Sequence, residues 1–367
     1  MSGNRMNTRL IAPTTEGIKY NGSKRKVLPS IFELINSLEL RTVLDGFSGS
    51  TRVSQAFAKA GYITTSNDIS VWSETLATAY LLNAQPAAHY QLLIDHLNSL
   101  KGYDGWFSEH YGGPGHQSCK RPFQLHNTRK LDAIRDELDR LNLSTVERAV
   151  ALTSLILALD KVDNTLGHYA AYLADWSARS HKELKLQVPL LFENTHKNEV
   201  IRGDIFDTIA DREFDLAYFD PPYGSNNEKM PPSRVRYNSY YHIWTSVILN
   251  DKPELFGKAN RRIDSKDSIA SSVFEEFRKD ETGSYIAMQA IRKLVEQTNA
   301  RYILLSYSSG GRASKEALHE CLHSSGQLLA AVEIDYKKNV MGQMRWTNEW
   351  VNSDGKYLEY LFLMEKR

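Results

Sequence analysis

Phe214-Asp215-Leu216-Ala217-Tyr218-Phe219-Asp220-Pro221-Pro222-Tyr223 is the stretch on which the reading of this chain turns. Leu216 to Phe219 form a short continuous apolar run, the pattern of a strand buried on both faces of an α/β sheet. The run stops at Asp220, and two prolines forbid both a helix and further ladder pairing. A carboxylate, a rigid turn and an aromatic ring therefore stand together at the carboxyl end of a strand. In open α/β sheets that edge is where ligands bind. Asp and Pro are also ordinary turn residues, so the stretch acquires meaning only from its surroundings.

Upstream, Thr42-Val43-Leu44-Asp45-Gly46-Phe47-Ser48-Gly49-Ser50 reads as a strand entering a Gly-rich turn. A helix follows with Val53, Ala56, Phe57 and Ala60 on one face, then a strand from Tyr62 that ends in Asn67-Asp68-Ile69. This is a βαβ unit with an acid nineteen positions after Gly49. In nucleotide-binding units the glycines let backbone approach the ligand, and an acid about 20 residues on takes ribose hydroxyls. A full G-x-G-x-x-G is absent, and Ser50 stands where a third small residue would lie. Downstream, Glu199 to Asp204 is another short strand ending in an acid, a short helix runs from Ile205 to Ala210, and Tyr302 to Tyr307 is a further strand. Leu328–Tyr336 and Tyr357–Met364 read as a closing antiparallel hairpin.

Between these α/β portions the pattern changes. Residues 72–99 read as Leu- and Ala-rich helices, 131–141 and 146–159 as two more, the second apolar enough to be buried. Residues 119–130 form a stretch with four basic side chains and no acid, which reads as a loop. Basic and amide side chains interleaved with Phe123 suit phosphate and base-edge contacts, and equally suit a solvated loop with one buried ring. Lys120, Arg121, Gln124, Asn127, Arg129 and Lys130 are the candidates there. Residues 224–272 are polar and irregular, carry Arg234 and Arg236, and read as a mobile segment that orders around a partner, with one helix from Tyr241 to Leu249. The loop 337–346 adds Lys337 and Lys338.

Composition sets the outer bounds. A chain of 367 residues, 41% hydrophobic and 24% charged, is expected to fold as about two soluble globular domains. No apolar run approaches the ~20 residues of a membrane span, and the polar N-terminus lacks a secretion signal's apolar core. Cys119 and Cys321, the two cysteines, read as free thiols of a reducing compartment, which points to the cytoplasm. The eleven histidines are scattered, so no metal site is expected. A net charge of +1 leaves nucleic-acid binding to local basic patches.

The set of motifs resembles a family. Asp220-Pro221-Pro222-Tyr223 is similar to the catalytic motif of amino-group DNA methyltransferases, and Lys19-Tyr20-Asn21-Gly22-Ser23-Lys24 to the N-terminal cofactor motif of the D12 class, the Dam-like adenine methylases in the alpha arrangement. Phe47-Ser48-Gly49-Ser50 resembles their methionine loop and Asn67-Asp68-Ile69 their ribose motif, in the order of that arrangement. The resemblance covers roughly residues 18–70 and 199–364. Tyr20 stands where Dam-type enzymes often carry Trp.

The resemblance implies an α/β fold with a Rossmann-like methyltransferase sheet and a mainly helical target-recognition insert. The catalytic domain would take residues 1–70 and 199–367, and the insert 71–198. It implies S-adenosylmethionine as cofactor, with Tyr20 and Lys24 bordering it, Lys24 near its carboxylate. Phe47, Gly49 and Ser50 would line the methionine portion, Asp68 the ribose, Asp204 and Ile205 the adenine, and Asp220 both cofactor and target. Double-stranded DNA is the implied partner, with a separately encoded restriction endonuclease as a further one and the chain a monomer or weak dimer.

The chemistry agrees. An adenine N6 amine is a poor nucleophile because its lone pair is conjugated into the ring. A carboxylate (Asp220) and a carbonyl (Pro221) accepting its two hydrogens would localise that pair, while Pro222 stiffens the turn and Tyr223 offers a stacking face for an extruded base. Cytosine N4, RNA or a protein amide as acceptor, and a non-catalytic DNA-binding module, remain as alternatives. Asp before Pro-Pro-Tyr speaks against cytosine-N4 enzymes, which more often have Ser, and against protein-glutamine enzymes, which more often have Asn.

Overall fold

The computed structural model describes residues 11–115, 120–224, 237–335 and 358–367. Cys119, Arg234, Arg236, Lys337 and Lys338 lie outside the described residues. One seven-stranded sheet organises the rest: β1 (Thr42–Asp45), β2 (Ile63–Asp68), β3 (Glu199–Arg202), β4 (Glu213–Phe219), β5 (Asn299–Ser308), β6 (Gly326–Asp335) and β7 (Leu358–Lys366). The order is β6-β7-β5-β4-β1-β2-β3. β7 runs antiparallel to both its neighbours and every other pairing is parallel.

The apolar run of β4 shows why it is central. Leu216 and Tyr218 pack with Val27, Ile31 and Phe57 on one face. Ala217 and Phe219 pack with Ile209, Ile291 and Leu294 on the other. A strand with helices on both sides needs apolar side chains at consecutive positions, which an alternating strand cannot supply. Helices Leu28–Ile35 and Arg52–Lys59 cover the first face, and Ile286–Gln297 and Lys315–Ser325 the second.

The chain leaves the sheet after β2 and returns at β3, and most of the residues between build a separate helical core. Helices Gln91–Ser99, Trp106–Tyr111, Leu125–Arg140 and Thr145–Val162 contribute to it. The last of these starts at a capping box readable in sequence: Ser144 Oγ accepts from Glu147 N while the Glu147 carboxylate accepts from Ser144 N.

Two features differ from the sequence reading. Helix Leu125–Arg140 begins six residues before the expected 131, so Asn127, Arg129 and Lys130 are helical and not on a loop. Asn127 and Thr128, polar in sequence, are buried there. The helix His242–Leu249, expected within a mobile segment, is packed: Ile243, Trp244 and Val247 are fully buried in the same helical core. Its apolar face shares a core with the helices between β2 and β3, although it follows the Asp-Pro-Pro-Tyr turn in the chain.

Strand order reverses between β1 and β4: β2 and β3 continue to one side, β5 to the other. The crevice outside these carboxyl ends is the topological switch point.

Candidate active site

The turn after β1 is shaped by close approaches. Gly46 donates its N–H to Tyr218 O (2.9 Å), joining the turn to β4. A Cβ on Gly46 would stand 2.6 Å from the Phe219 ring, so only glycine fits. Gly49 has φ +49, and a Cβ there would meet the Tyr20 ring at 3.0 Å. Gly49 N–H donates to Asp68 Oδ2 at 2.8 Å, while Asp68 Oδ1 accepts from Ser70 N and Oγ. Loop and acid are thus one unit, and burial raises the Asp68 carboxyl above its ordinary range against those hydrogen bonds.

Asp220, the residue after β4, is held on one oxygen only. Lys24 Nζ lies 2.7 Å from Asp220 Oδ2, 3.2 Å from Glu359 Oε1 and 3.0 Å from Gly22 O. Two carboxylates and a carbonyl thus surround one ammonium. Lys24, expected beside the cofactor's carboxylate, has its ammonium paired here with Asp220 and Glu359. Asp220 Oδ1 is buried and without a hydrogen-bond partner. Burial pushes the Asp220 carboxyl up to about 7, against the lowering by Lys24 and together with the negative charge of Glu359. Burial by itself would depress Lys24, but the two carboxylates hold it well above the ordinary lysine range. On β1, Asp45 accepts from Ser54 Oγ at 2.6 Å, and burial pushes it to about 7.

An aromatic wall closes one side. Tyr20 stacks on Tyr241 (ring centroids 4.6 Å apart) and on Tyr237 (5.4 Å). Asn21 N–H donates to Tyr241 Oη at 2.6 Å, which fixes the segment carrying Lys24. Tyr223 leans on Tyr307 at 5.5 Å, and Pro221 beneath it is buried. The Tyr237 and Tyr223 hydroxyls both face Gly22, at 3.0 and 3.5 Å from where a Cβ would be.

The remaining cofactor candidates divide. Phe47 sits edge-on to Phe219 and Phe274, and Ser50 is buried in the turn. Asp204 spends Oδ1 on Phe206 N at 2.8 Å, capping the helix Ile205–Ile209. Ile205 is buried beneath Gly46, whereas Ile69, just after Asp68, is 68% exposed. The glycine cradle, an acid at the end of β2 and an unpartnered carboxylate oxygen fit a ribose-bearing cofactor and a polar substrate atom.

Among the nucleic-acid candidates, Gln124 Nε2 donates to Ser180 Oγ (3.3 Å) and is bonded to His181 Nδ1 (2.9 Å). Asn127 donates to Lys182 O at 2.9 Å and accepts from Leu184 N at 2.7 Å. Both amides are buried and serve the insert's own scaffold. Lys130 donates to Asn98 O (2.6 Å) and to Leu100 O, and Arg121 to His110 O. Arg129 makes a two-pronged pair with Asp104 at 2.7 and 2.9 Å, and Lys120 is exposed.

Sequence reasoning missed Glu359, Tyr237 and Tyr241. Glu359 lies at the start of a strand whose middle is apolar, with no local signal, and the tyrosines sit in or at the edge of a segment read as irregular but for one helix.

The profile of the D12 class of N6 adenine-specific DNA methyltransferases matches residues 20–308. The modification methylase StsI of Streptococcus sanguinis is 28% identical over 95% of this chain and 52% of its own length. The type II methyltransferase M.FokI of Planomicrobium okeanokoites is 28% identical over 95% of this chain and 53% of its own. The type II methyltransferase M.NlaIII of Neisseria lactamica is 26% identical over 95% and 99%, respectively. The chain thus spans about half the length of the first two relatives and nearly all of the third.

Proposed function

The chain belongs to the D12 class of N6 adenine-specific DNA methyltransferases, and on that premise we propose that it transfers the methyl group of S-adenosylmethionine to N6 of an adenine flipped out of double-stranded DNA. The observation that carries this reading is the asymmetry of Asp220, with Oδ2 held by Lys24 and Oδ1 buried and unpartnered. A buried acceptor without a donor is costly. An amine hydrogen brought into the turn satisfies it.

Bound S-adenosylmethionine supplies an electrophilic sulfonium methyl. The protein's part is to make the amine reactive. Asp220 Oδ1 and the Pro221 carbonyl accept its hydrogens, draw the lone pair out of conjugation and stabilise the growing positive charge. Pro222 holds the turn rigid, and Tyr223 presents a ring for the base to stack on. Gly49 and Ser50 give backbone access on the cofactor side with Phe47 beside them, Asp68 takes the ribose, Tyr20 walls the cleft, and Asp204 and Ile205 flank the adenine moiety.

For DNA, Lys120, Arg121 and Arg129 on the insert, with Arg234, Arg236, Lys337 and Lys338 outside the described residues, are the proposed contacts. Gln124, Asn127 and Lys130 support the insert from within. The relatives carry the names of modification and type II methyltransferases, which supports a restriction-modification role with a cognate endonuclease encoded separately. No described helix is long and apolar enough to cross a membrane. Cytoplasmic action as a monomer or weak dimer is part of the proposal.

The test is methyl transfer from isotopically labelled cofactor to DNA, RNA and protein in parallel. Label on N6-methyladenine in duplex DNA supports the reading. Label on cytosine, RNA or protein, or no transfer at all, overturns it.

A further inference from the structure

β7 is the one strand of the sheet that runs against the others, and this reversal has a chemical result. The parallel strands deliver residues to the site from their carboxyl ends, but β7 delivers them from its start. Its second residue, Glu359, lies opposite Ser308 on β5 at the same edge as Asp220. Glu359 is 5% exposed. Its Oε1 accepts from Ser306 Oγ at 2.6 Å and stands 3.2 Å from Lys24 Nζ, which in turn stands 2.7 Å from Asp220 Oδ2. Three charged groups from three parts of the chain meet there: Lys24 from the N-terminal segment, Asp220 from β4 and Glu359 from β7.

Resting on the reading of Asp220 as the group that receives the target amine, we propose that Glu359 is a positioning residue for methyl transfer, one that fixes the Lys24 ammonium and leaves the buried cluster with a surplus negative charge.

The argument is one of charge and of direction. Lys24 facing Asp220 alone would form a neutral pair, and the developing positive charge on the amine would meet a carboxylate already cancelled by its neighbour. With Glu359 on the same ammonium and Asp220 ionised, two carboxylates share one cation, and in a site shielded from water the remaining charge is weakly screened. Direction follows from the three contacts around the ammonium. Gly22 O, Asp220 Oδ2 and Glu359 Oε1 surround the Lys24 ammonium at 3.0, 2.7 and 3.2 Å, which holds it on the Oδ2 side of Asp220. Oδ1 is left buried and without a partner.

The experiment uses the full chain with Glu359→Gln, which keeps an acceptor for Ser306 and removes the charge, and Glu359→Asp, which keeps the charge on a shorter arm. The other groups that act on Asp220 or on Lys24 beside it are unchanged in both: Asp45 on β1, Tyr218 on β4, Tyr223 in the turn, and Tyr20 and Tyr237 on the wall. Two readouts are taken: kcat and KM for DNA methylation as a function of pH, and titration of the Asp220 carboxyl by carbon-13 NMR without cofactor or DNA, assigned with Asp220→Asn. Glu359→Gln is expected to lower kcat on the order of 10- to 100-fold with KM for the cofactor unchanged. It should also move the Asp220 midpoint, and with it the acid limb of kcat, to lower pH, because a neighbouring negative charge that raises that carboxyl has gone. Glu359→Asp should restore the midpoint and part of kcat. Full kcat in Glu359→Gln overturns the proposal, and so does a loss of kcat with a lower melting temperature and an unmoved Asp220 midpoint, which marks a structural role. If the wild-type protein methylated no DNA, the proposed function would fall, while the NMR midpoints would still decide whether Glu359 acts on Asp220 through Lys24.

Discussion

Asp68 Oδ2 accepts the Gly49 N–H at 2.8 Å, a bond that joins the end of β2 to the turn after β1. The acid and the glycine loop are therefore assembled before any ligand arrives. The carboxylate accepts from the Gly49 N–H and from the Ser70 N–H and hydroxyl, with the Ile69 backbone N–H beside it as a further donor.

Asp68→Asn is expected to damage loop and binding together. An amide can keep one oxygen for Ser70, but its NH2 would then confront the Gly49 N–H, leaving buried donors unpaired at a cost of about 1–3 kcal/mol. Urea unfolding reads that loss, and calorimetry with S-adenosylmethionine reads the weakened affinity. Unchanged affinity in a folded variant would remove Asp68 from the cofactor site.

Asp220→Ala is expected to abolish turnover and spare the fold, since Lys24 keeps Glu359 and Gly22 O as partners. Losing one charge-complementing group at a reacting centre costs ~2.7–4 kcal/mol in barrier. A variant that kept more than roughly a tenth of wild-type methylation would show that another group orients the amine.

How much of this was legible in sequence depends on the distance over which each feature is specified. Leu216–Phe219 could be read as a central strand because burial on both faces demands consecutive apolar residues, a local demand. Asp220 and the Gly49–Asp68 pair are set by a turn and a βαβ unit, also local. The Lys24–Asp220–Glu359 cluster was not legible, because the pairing of β7 with β5 brings Glu359 to the edge and no residue near it announces this. Nor could polarity distinguish a loop at 119–130 from the start of a buried helix, since Asn127 finds its partners 55 and 57 residues further along the chain.

The pH dependence of stability provides a third prediction. Asp45 titrates near 7 in the folded protein because it is buried, far above its ordinary 3.8. Between those values the folded state binds its proton more tightly than the unfolded chain does. This contribution to stability is complete below about pH 4 and is lost as pH rises through 7. Asp45→Asn removes it, so the decline in urea midpoint from pH 5 to pH 8 should be shallower in the variant, with Asp220 supplying a residual slope. Identical slopes would show that Asp45 is already ionised at pH 5.

The last prediction concerns the amides of the insert. Asn127 carries the side chain best suited to an adenine edge, yet its oxygen accepts from Leu184 N and its nitrogen donates to Lys182 O, binding the helix Leu125–Arg140 to the strap at 182–184. To read a base it would have to abandon both bonds and leave a buried N–H and C=O unpaired, more than one good base contact of ~1–3 kcal/mol returns. Asn127→Ala should therefore lower the unfolding free energy by about 1–3 kcal/mol and reduce activity evenly across sequences. Lys120, exposed and ahead of the helix, should instead behave as a phosphate contact, so that Lys120→Ala weakens binding to all DNA and lessens its salt dependence. Methylation of a randomised-site library by each variant separates these outcomes. A changed site preference in Asn127→Ala, with stability intact, would mean that the helix opens on DNA and that the buried amide is a reader after all.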